Sequence, residues 1–419
     1  MTDAQTAAPT REAGSRTYGA GTGAVDWEFR YDFAALRAKR VARAQSAMQA
    51  DGVDAALLWK SENVRYLTSL RSQVIAGKDS ILNAALLVAG QQPVLLCSGG
   101  EFDHTAFMPW LGAVHVVPIM EQRELIEGFV TSVLVPALVD RGVKAGTLGV
   151  DQVSIHLLRA IESTLPGLQV VDGDHAMQEA RMIKLEEELA IIEEACAIGD
   201  SVTQRALDES KAGRRECAIA GDAMQTLYHL GGEMPHVTTP YVSSGEHMAP
   251  PHRFATDKIV RNGDLVFIDI GAMWNGYFAD IGRTRIVGKP SPRQQQVYTA
   301  VYHGLRAGIE AMRPGNTTEH VAAAVRAEAK KHKLEDSLFS LFIGHGIGVG
   351  SNEPPYIGET LPGARPAELR PNMLFAIEPL IWVRDSGGVG VRIEDMVLIT
   401  ESGSRVLSRA PYDDLLLSS

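Results

Sequence analysis

The segment GDLVFIDIGAMWNGYFADIGRTRIVG, residues 263–288, leaves the chain little conformational freedom. Leu265-Val266-Phe267-Ile268 is an apolar run with the length of a buried strand. Trp274-Asn275-Gly276 is a turn, because Asn and Gly tolerate the positive φ that tight hairpins demand. Tyr277 to Val287 then returns as a second strand. Asp269 and Asp280 lie eleven residues apart around the turn, and the period of two puts both side chains on one sheet face. Two like charges facing each other beside apolar strands cost free energy unless a cation sits between them. Taken alone, the segment is equally compatible with two solvated aspartates on an exposed face.

Three later stretches bear on that choice. LFIGHGIGVGSNEPPYIGE sets His345 among glycines, which permit close backbone approach to a site. NMLFAIEPLIW carries Glu378 in an apolar, strand-like run, and GVGVRIEDMVLIT puts Arg392 and Glu394 on one face of another. Each could be a salt-bridged core residue on its own. Together, Asp269, Asp280, His345, Glu378 and Glu394 form an oxygen-rich donor set with one imidazole, which suits a pair of divalent ions such as Mn, Co, Fe or Zn. Two such ions a few ångströms apart would activate a water and polarise a carbonyl. Other chemistries lack their signatures. GHGIGVG is not GxGxxG and no acidic residue follows in a βαβ setting, which argues against a dinucleotide site. No GxSxG elbow is present, and Ser243-Ser244-Gly245 reads as a loop.

The remaining sequence divides into three parts. Residues 1–25, rich in Ala, Thr and Gly, read as a flexible tail without the apolar centre of a signal peptide. Residues 26–180 alternate helix and strand as a mixed α/β domain. A helix is predicted over Ala34–Ala50, and strands at Ala55–Trp59, Ala84–Val88, Val94–Cys97, Val114–Val117 and Thr147–Val150. Residues 181–419 open with a long helix from near Leu185, whose stripe is Leu189, Ile192, Cys196 and Val202. A second helix spans Pro292 to Met312, and a third starts at Asn316 as N-cap with Glu319 three residues on.

The net charge of −11, with no basic run, excludes nucleic acid and anionic membranes as natural partners. The apolar stretch from Ile81 to Cys97 is broken by Asn83 and a Gly-Gln-Gln-Pro turn, so it reads as two strands and not as a membrane span. Three scattered cysteines fit neither a disulfide framework nor a thiolate zinc site, and the expected setting is soluble and cytoplasmic.

In this order and in these local motifs, the five donor residues resemble the ligand set of the creatinase/aminopeptidase P/prolidase family, the "pita-bread" metallohydrolases, over about residues 30–419. The resemblance implies an α/β (α+β) chain: a creatinase-type mixed α/β domain, then a pita-bread domain with a curved antiparallel sheet flanked by helices. It implies two divalent metal ions, a homodimer, and hydrolysis of an amide or Xaa-Pro peptide bond by a hydroxide bridging the ions. Asp269 would chelate one ion, Asp280 and Glu394 would bridge, and His345 and Glu378 would hold the other. Glu378 would also carry the proton to the leaving nitrogen. His252 in APPHRFATD, seventeen residues before Asp269, matches a substrate-contacting histidine, and Arg392 matches an arginine of the site.

Two positions depart from the pattern. Asn352 stands where peptidase members carry a second histidine; it can bind substrate through hydrogen bonds but cannot titrate. Gly282 stands where threonine is usual. The first departure keeps open a small osmolyte-like substrate (an ectoine- or creatine-type C–N hydrolase, or a dimethylsulfoniopropionate lyase), as well as a binding protein without catalysis. Trp274, Tyr356 and Trp382 read equally as pocket lining or packing, and His229, His236 and His247 as loop or surface residues.

Overall fold

The computed structural model describes residues 31–72, 79–237, 239–251, 254–363, 365–384 and 386–417. The tail at 1–25 lies outside the described residues. The chain falls into two compact units that divide between Ala180 and Arg181.

The first unit begins with α1 (Phe33–Ala50), started by the Asp32 carboxylate, which accepts from Ala35 N at 2.9 Å. Leu36, Val41, Ala44 and Met48 form its buried stripe. Then come β1 (Ala55–Leu58), α2 (Ser61–Thr68), β2 (Ala84–Val88), β3 (Val94–Cys97), β4 (Ala113–Val116), β5 (Gly146–Val150), α3 (Ile155–Thr164) and β6 (Leu168–Asp172). The six strands form one sheet in the order β4-β3-β2-β1-β5-β6. β1, β2 and β3 pair antiparallel, while the β3–β4, β1–β5 and β5–β6 pairs are parallel. Every residue of β1, β2 and β3 is buried, which is why these strands read as continuous apolar runs rather than alternations. The weakly apolar β6, LQVVD, gives no such signal.

The second unit opens with α4 (Glu186–Glu209), whose Glu186, Glu187 and Glu188 meet the positive end of the helix dipole. Glu188 accepts from Leu185 N at 2.8 Å and from Tyr277 Oη at 2.9 Å, tying the helix start to the central hairpin. After α5 (Glu216–His229) and β7 (Tyr241–Ser244), the hairpin segment forms β8 (Leu265–Asp269), β9 (Ala272–Trp274), β10 (Tyr277–Ala279) and β11 (Gly282–Ile286). Ser243 and Ser244 therefore belong to a strand and not to the loop expected for them.

Next, α6 (Pro292–Ala311) is capped by Ser291 and Gln294 and buries Val297, Val301, Leu305 and Ile309. The following α7 (Thr318–Lys331) has Thr317 as its N-cap, one residue later than expected. His320 Nδ1 accepts from Thr317 N at 3.0 Å, whereas Asn316 turns back to donate to Ala311 O at 2.8 Å and Glu319 pairs with Arg326. Asn316 finishes the preceding helix instead of starting the next.

The remaining strands are β12 (Gly344–Gly346), β13 (Glu353–Ile357), β14 (Leu374–Ile377), β15 (Leu380–Trp382), β16 (Gly390–Arg392), β17 (Asp395–Thr400) and β18 (Gly403–Val406). They build an antiparallel sheet, β13-β12-β14-β17-β18, and a β15–β16 ribbon, beside the antiparallel β11-β8-β7 sheet. One core joins these layers. Phe267, Phe375, Ile377, Val391 and Val397 from the strands pack with Val301, Leu305 and Val325 from α6 and α7.

Candidate metal centre

The hairpin positions the first two carboxylates. Asn275 (φ 48°) and Gly276 (φ 81°) make its two-residue turn, with Trp274 paired to Tyr277. From that register Asp269, ending β8, faces Gly282, and Asp280 lies between β10 and β11. Each is 1 % exposed. A Cβ on Gly282 would lie 2.8 Å from Glu394 Oε2 and 3.0 Å from Glu394 Cβ, so the missing side chain lets Glu394 lie over β11.

His345 sits in the middle of β12, its ring stacked on Phe342 at 5.5 Å. Its Nδ1 lies 2.9 Å from Gly346 O; a proton donated there leaves Nε2 free to act as a donor atom. That Nε2 is 3.4 Å from both Asp280 Oδ2 and Glu378 Oε1. Glu378 follows β14, fixed by its N–H donating to Ile343 O at 2.7 Å. Arg392 and Glu394 do not share one strand face, contrary to the sequence reading. The strand breaks after Arg392, and Glu394, its N–H donating to Gly282 O at 2.9 Å, occupies the link before β17. The break turns both side chains to the same point: Arg392 pairs with Asp269, with Glu378 Oε2 at 2.9 Å and with Glu394 Oε2 at 3.4 Å. Its guanidinium also lies 4.8 Å over the Phe267 ring.

The structure therefore brings Asp269, Asp280, His345, Glu378, Glu394 and Arg392 together. Asp269, Asp280 and Glu394 offer donor atoms within 4.8 Å of one another, and so do His345, Glu378 and Glu394. Asp269 Oδ1, Asp280 Oδ1 and Glu394 Oε1 are buried without a hydrogen-bond partner among the described residues. Buried carboxylate oxygens without donors are costly, and one guanidinium cannot serve four carboxylates. The donor set thus fits divalent cations.

Electrostatics agree. Burial, only partly offset by Arg392 and reinforced by Asp280, pushes Asp269 up to about 7. Burial with the charges of Asp280 and Glu378 drives Glu394 well above the usual carboxylate range. Burial opposes the charged form of His345, but hydrogen bonds to Asp280 and Glu378 outweigh it and push the imidazole up to about 10. A divalent ion needs these carboxylates ionised and this imidazole neutral, so it must displace protons. The sign follows: in metal-stripped protein Asp269 and His345 hold protons at pH 6, Asp269 loses its proton through about 7, and affinity rises with pH. Metal affinity is expected to climb roughly tenfold per pH unit for each proton displaced between about pH 6 and 8. Calorimetry in buffers of differing ionisation enthalpy measures the proton release; a pH-independent affinity would contradict the assignment.

The other residues singled out fall variously. His252 lies outside the described residues. Asn352 lines a cavity of about 320 Å3 with His236, Tyr241, Phe254 and Ser351. Trp274 is buried, whereas Tyr356 and Trp382 pack on Phe342 and Phe339. His229 is exposed at the end of α5, and His247 lies 3.3 Å from Glu216. His236 is the exception to the surface reading: it is buried, with Nε2 3.0 Å from Asp280 Oδ2. No periodicity marks it, since the described residues of EMPHVTTP lie in neither helix nor strand.

Comparison with known proteins decides what kind of centre this is. The profile of metallopeptidase family M24 matches residues 190–401, and that of the creatinase/prolidase N-terminal domain matches residues 40–183. The chain belongs to metallopeptidase family M24. It is a metal-dependent peptidase with the pita-bread fold. It is 37% identical over 239 residues to an Xaa-Pro dipeptidase of Pyrococcus furiosus, covering 56% of this chain and 66% of that one. An Xaa-Pro dipeptidase of Pyrococcus horikoshii is 29% identical over 366 residues, covering 86% and 94%. The crystal structure of the prolidase from Pyrococcus horikoshii superposes with a TM-score of 0.73 at 26% identity, covering 89% of this chain and 99% of that one. These relatives favour a peptide over the osmolyte-like alternative.

Proposed function

We propose that this metallopeptidase is an Xaa-Pro dipeptidase working with two divalent ions, and that it is a cytoplasmic homodimer. The observation that carries the reading is that Glu394 belongs to both donor trios, Asp269–Asp280–Glu394 and His345–Glu378–Glu394. A shared carboxylate is what two adjacent ions require. Asp269, Asp280 and Glu394 would hold one ion, and His345, Glu378 and Glu394 the other. Bound there, the ions lower the pKa of water and polarise the scissile carbonyl. Manganese suits the predominance of oxygen donors.

The chain's own groups do the rest. Arg392 keeps Glu378 Oε2 engaged at 2.9 Å, which orients the carboxylate that takes the proton from water and delivers it to the leaving nitrogen. Asn352 donates an amide hydrogen bond to the substrate, and His252 contacts its leaving side. A cavity of about 320 Å3 beside the centre is of a size for a dipeptide.

The test is proline release from an Xaa-Pro dipeptide panel by chelated protein, with and without Mn²⁺. Turnover appearing only with metal is expected. Metal-loaded protein that cleaves no dipeptide would overturn the substrate assignment. For the dimer the support is the N-terminal domain match, and for the cytoplasm the three free cysteines. A monomer in sedimentation velocity, or a membrane-bound fraction on cell lysis, would overturn them. Among the described residues no helix is long and apolar enough to cross a membrane.

A further inference from the structure

His236 is built into the metal centre by backbone contacts that depend on a glycine. Its N–H donates to Ile270 O at 2.8 Å, and the neighbouring Met234 forms an isolated bridge with Met273. Both contacts run along the bend at Gly271, which has φ +56°. A Cβ on Gly271 would lie 2.7 Å from His236 Cβ and 2.2 Å from Ala279 O, so only glycine lets this segment approach so closely.

The ring is oriented as closely as the backbone. It lies parallel to His345, at an interplanar angle of 11° and a centroid distance of 6.1 Å, with Phe278 edge-on at 6.3 Å. Nε2 of His236 is 3.0 Å from Asp280 Oδ2, and Nε2 of His345 is 3.4 Å from the same oxygen. The donor atoms of His236, Asp280 and His345 all lie within 4.8 Å of one another. Nδ1 of His236 is buried without a hydrogen-bond partner among the described residues. Two parallel imidazoles converging on one carboxylate oxygen form a third donor trio, contiguous with the two that share Glu394.

We propose that His236 is a ligand of this centre, giving the ion on the His345 side two imidazole nitrogens instead of one. This rests on the two-ion reading above. Added nitrogen moves preference away from Mn²⁺ and toward Zn²⁺ or Co²⁺, which bind imidazole more strongly. His236 also lines the cavity that holds Asn352. The imidazole replaced by an amide at position 352 is thus matched by one supplied from a different segment, on the metal side of the same cavity.

The experiment uses the full chain, stripped with chelator, as wild type, His236→Gln and His236→Ala. Zn²⁺ and Mn²⁺ affinities are measured separately by competition with a chromophoric chelator, and the visible spectrum is recorded with Co²⁺. Thermal unfolding of the stripped proteins controls for misfolding, and the Gln variant keeps a polar group of similar reach. Both variants are expected to lose roughly 10- to 100-fold in Zn²⁺ affinity, with a much smaller loss for Mn²⁺ and altered Co²⁺ bands. Unchanged Zn²⁺ affinity and Co²⁺ spectra would overturn the proposal. Equal losses for both metals would also overturn it, because His236 would then act only by positioning Asp280. Wild-type protein that bound neither metal would instead bring down the two-ion reading itself.

Discussion

Glu394→Ala is expected to lower turnover by about 1,000-fold or more and to leave at most one tightly bound metal ion per chain. Glu394 is the carboxylate common to the Asp269–Asp280–Glu394 and His345–Glu378–Glu394 trios, so its loss removes a donor from both proposed ion positions. Asp269 belongs to one of those trios and not the other, and Asp269→Ala should keep more metal. Elemental analysis and kcat on the same preparation test the pair. A Glu394→Ala protein holding two ions with turnover near wild type would remove the basis for a bridging role.

Stability separates this outcome from simple misfolding. Burial among Asp280 and Glu378 holds Glu394 well above the usual carboxylate range. A carboxyl raised in the folded state opposes folding as pH rises from its unfolded pKa toward its folded one, because the unfolded chain ionises more readily. Removing it relieves that cost. Metal-stripped Glu394→Ala should therefore melt no lower than metal-stripped wild type, even as the metal-bound form loses stability. A centre that destabilises the stripped chain is what buried catalytic carboxylates entail.

Legibility of the site varied with the kind of physical signal each residue leaves. Asp269 and Asp280 stood out because Asn275-Gly276 fixes the hairpin turn between them, but Asp280 falls in the break between β10 and β11 and not on a strand face. Glu378 and His345 stood out as polar residues inside apolar or glycine-rich runs. The link at Ile393-Glu394 was invisible, since VRIEDMVLIT looks like an unbroken strand; the break comes from a hydrogen bond between Glu394 N and Gly282 O, far apart in sequence. His236 left no trace for the same reason: its place depends on Gly271 and on bridges to another segment. In the first unit, β1, β2 and β3 were readable as buried runs, whereas β6 is held by pairing with β5 rather than by its own hydrophobicity. The start of α7 shifted because Asn316 satisfies a carbonyl of the preceding helix. Local patterns carry period and turn chemistry; contacts between distant segments do not appear in them.

One such contact supports the second large effect. Arg283→Ala is expected to cost about 3–5 kcal/mol of stability, as does breaking other buried ion pairs from one side. Arg283 is 1 % exposed and its guanidinium is fully engaged. Nη2 donates to Asp395 Oδ1 at 2.8 Å, Nε and Nη2 donate to Ala410 O at 2.9 and 2.7 Å, and Nη1 donates to Gly282 O at 2.8 Å and Glu394 O at 2.5 Å. Asp395 also accepts from Ser408 Oγ and Tyr412 Oη, each at 2.6 Å. Removing Arg283 leaves Asp395 as a fully buried charge without its cation. Lysine should not rescue it, because a single ammonium cannot reproduce a planar fork reaching four oxygens. The Arg283→Ala/Asp395→Asn double variant should lose less than the sum of the two single changes, since the second removes the orphaned charge. Denaturant titration of the four proteins measures this coupling; strict additivity, or a loss below about 1 kcal/mol for Arg283→Ala, would show the pair to be dispensable. The same variant should also weaken metal binding at neutral pH. Arg283 holds the carbonyl of Glu394, so it fixes the backbone from which the shared carboxylate projects.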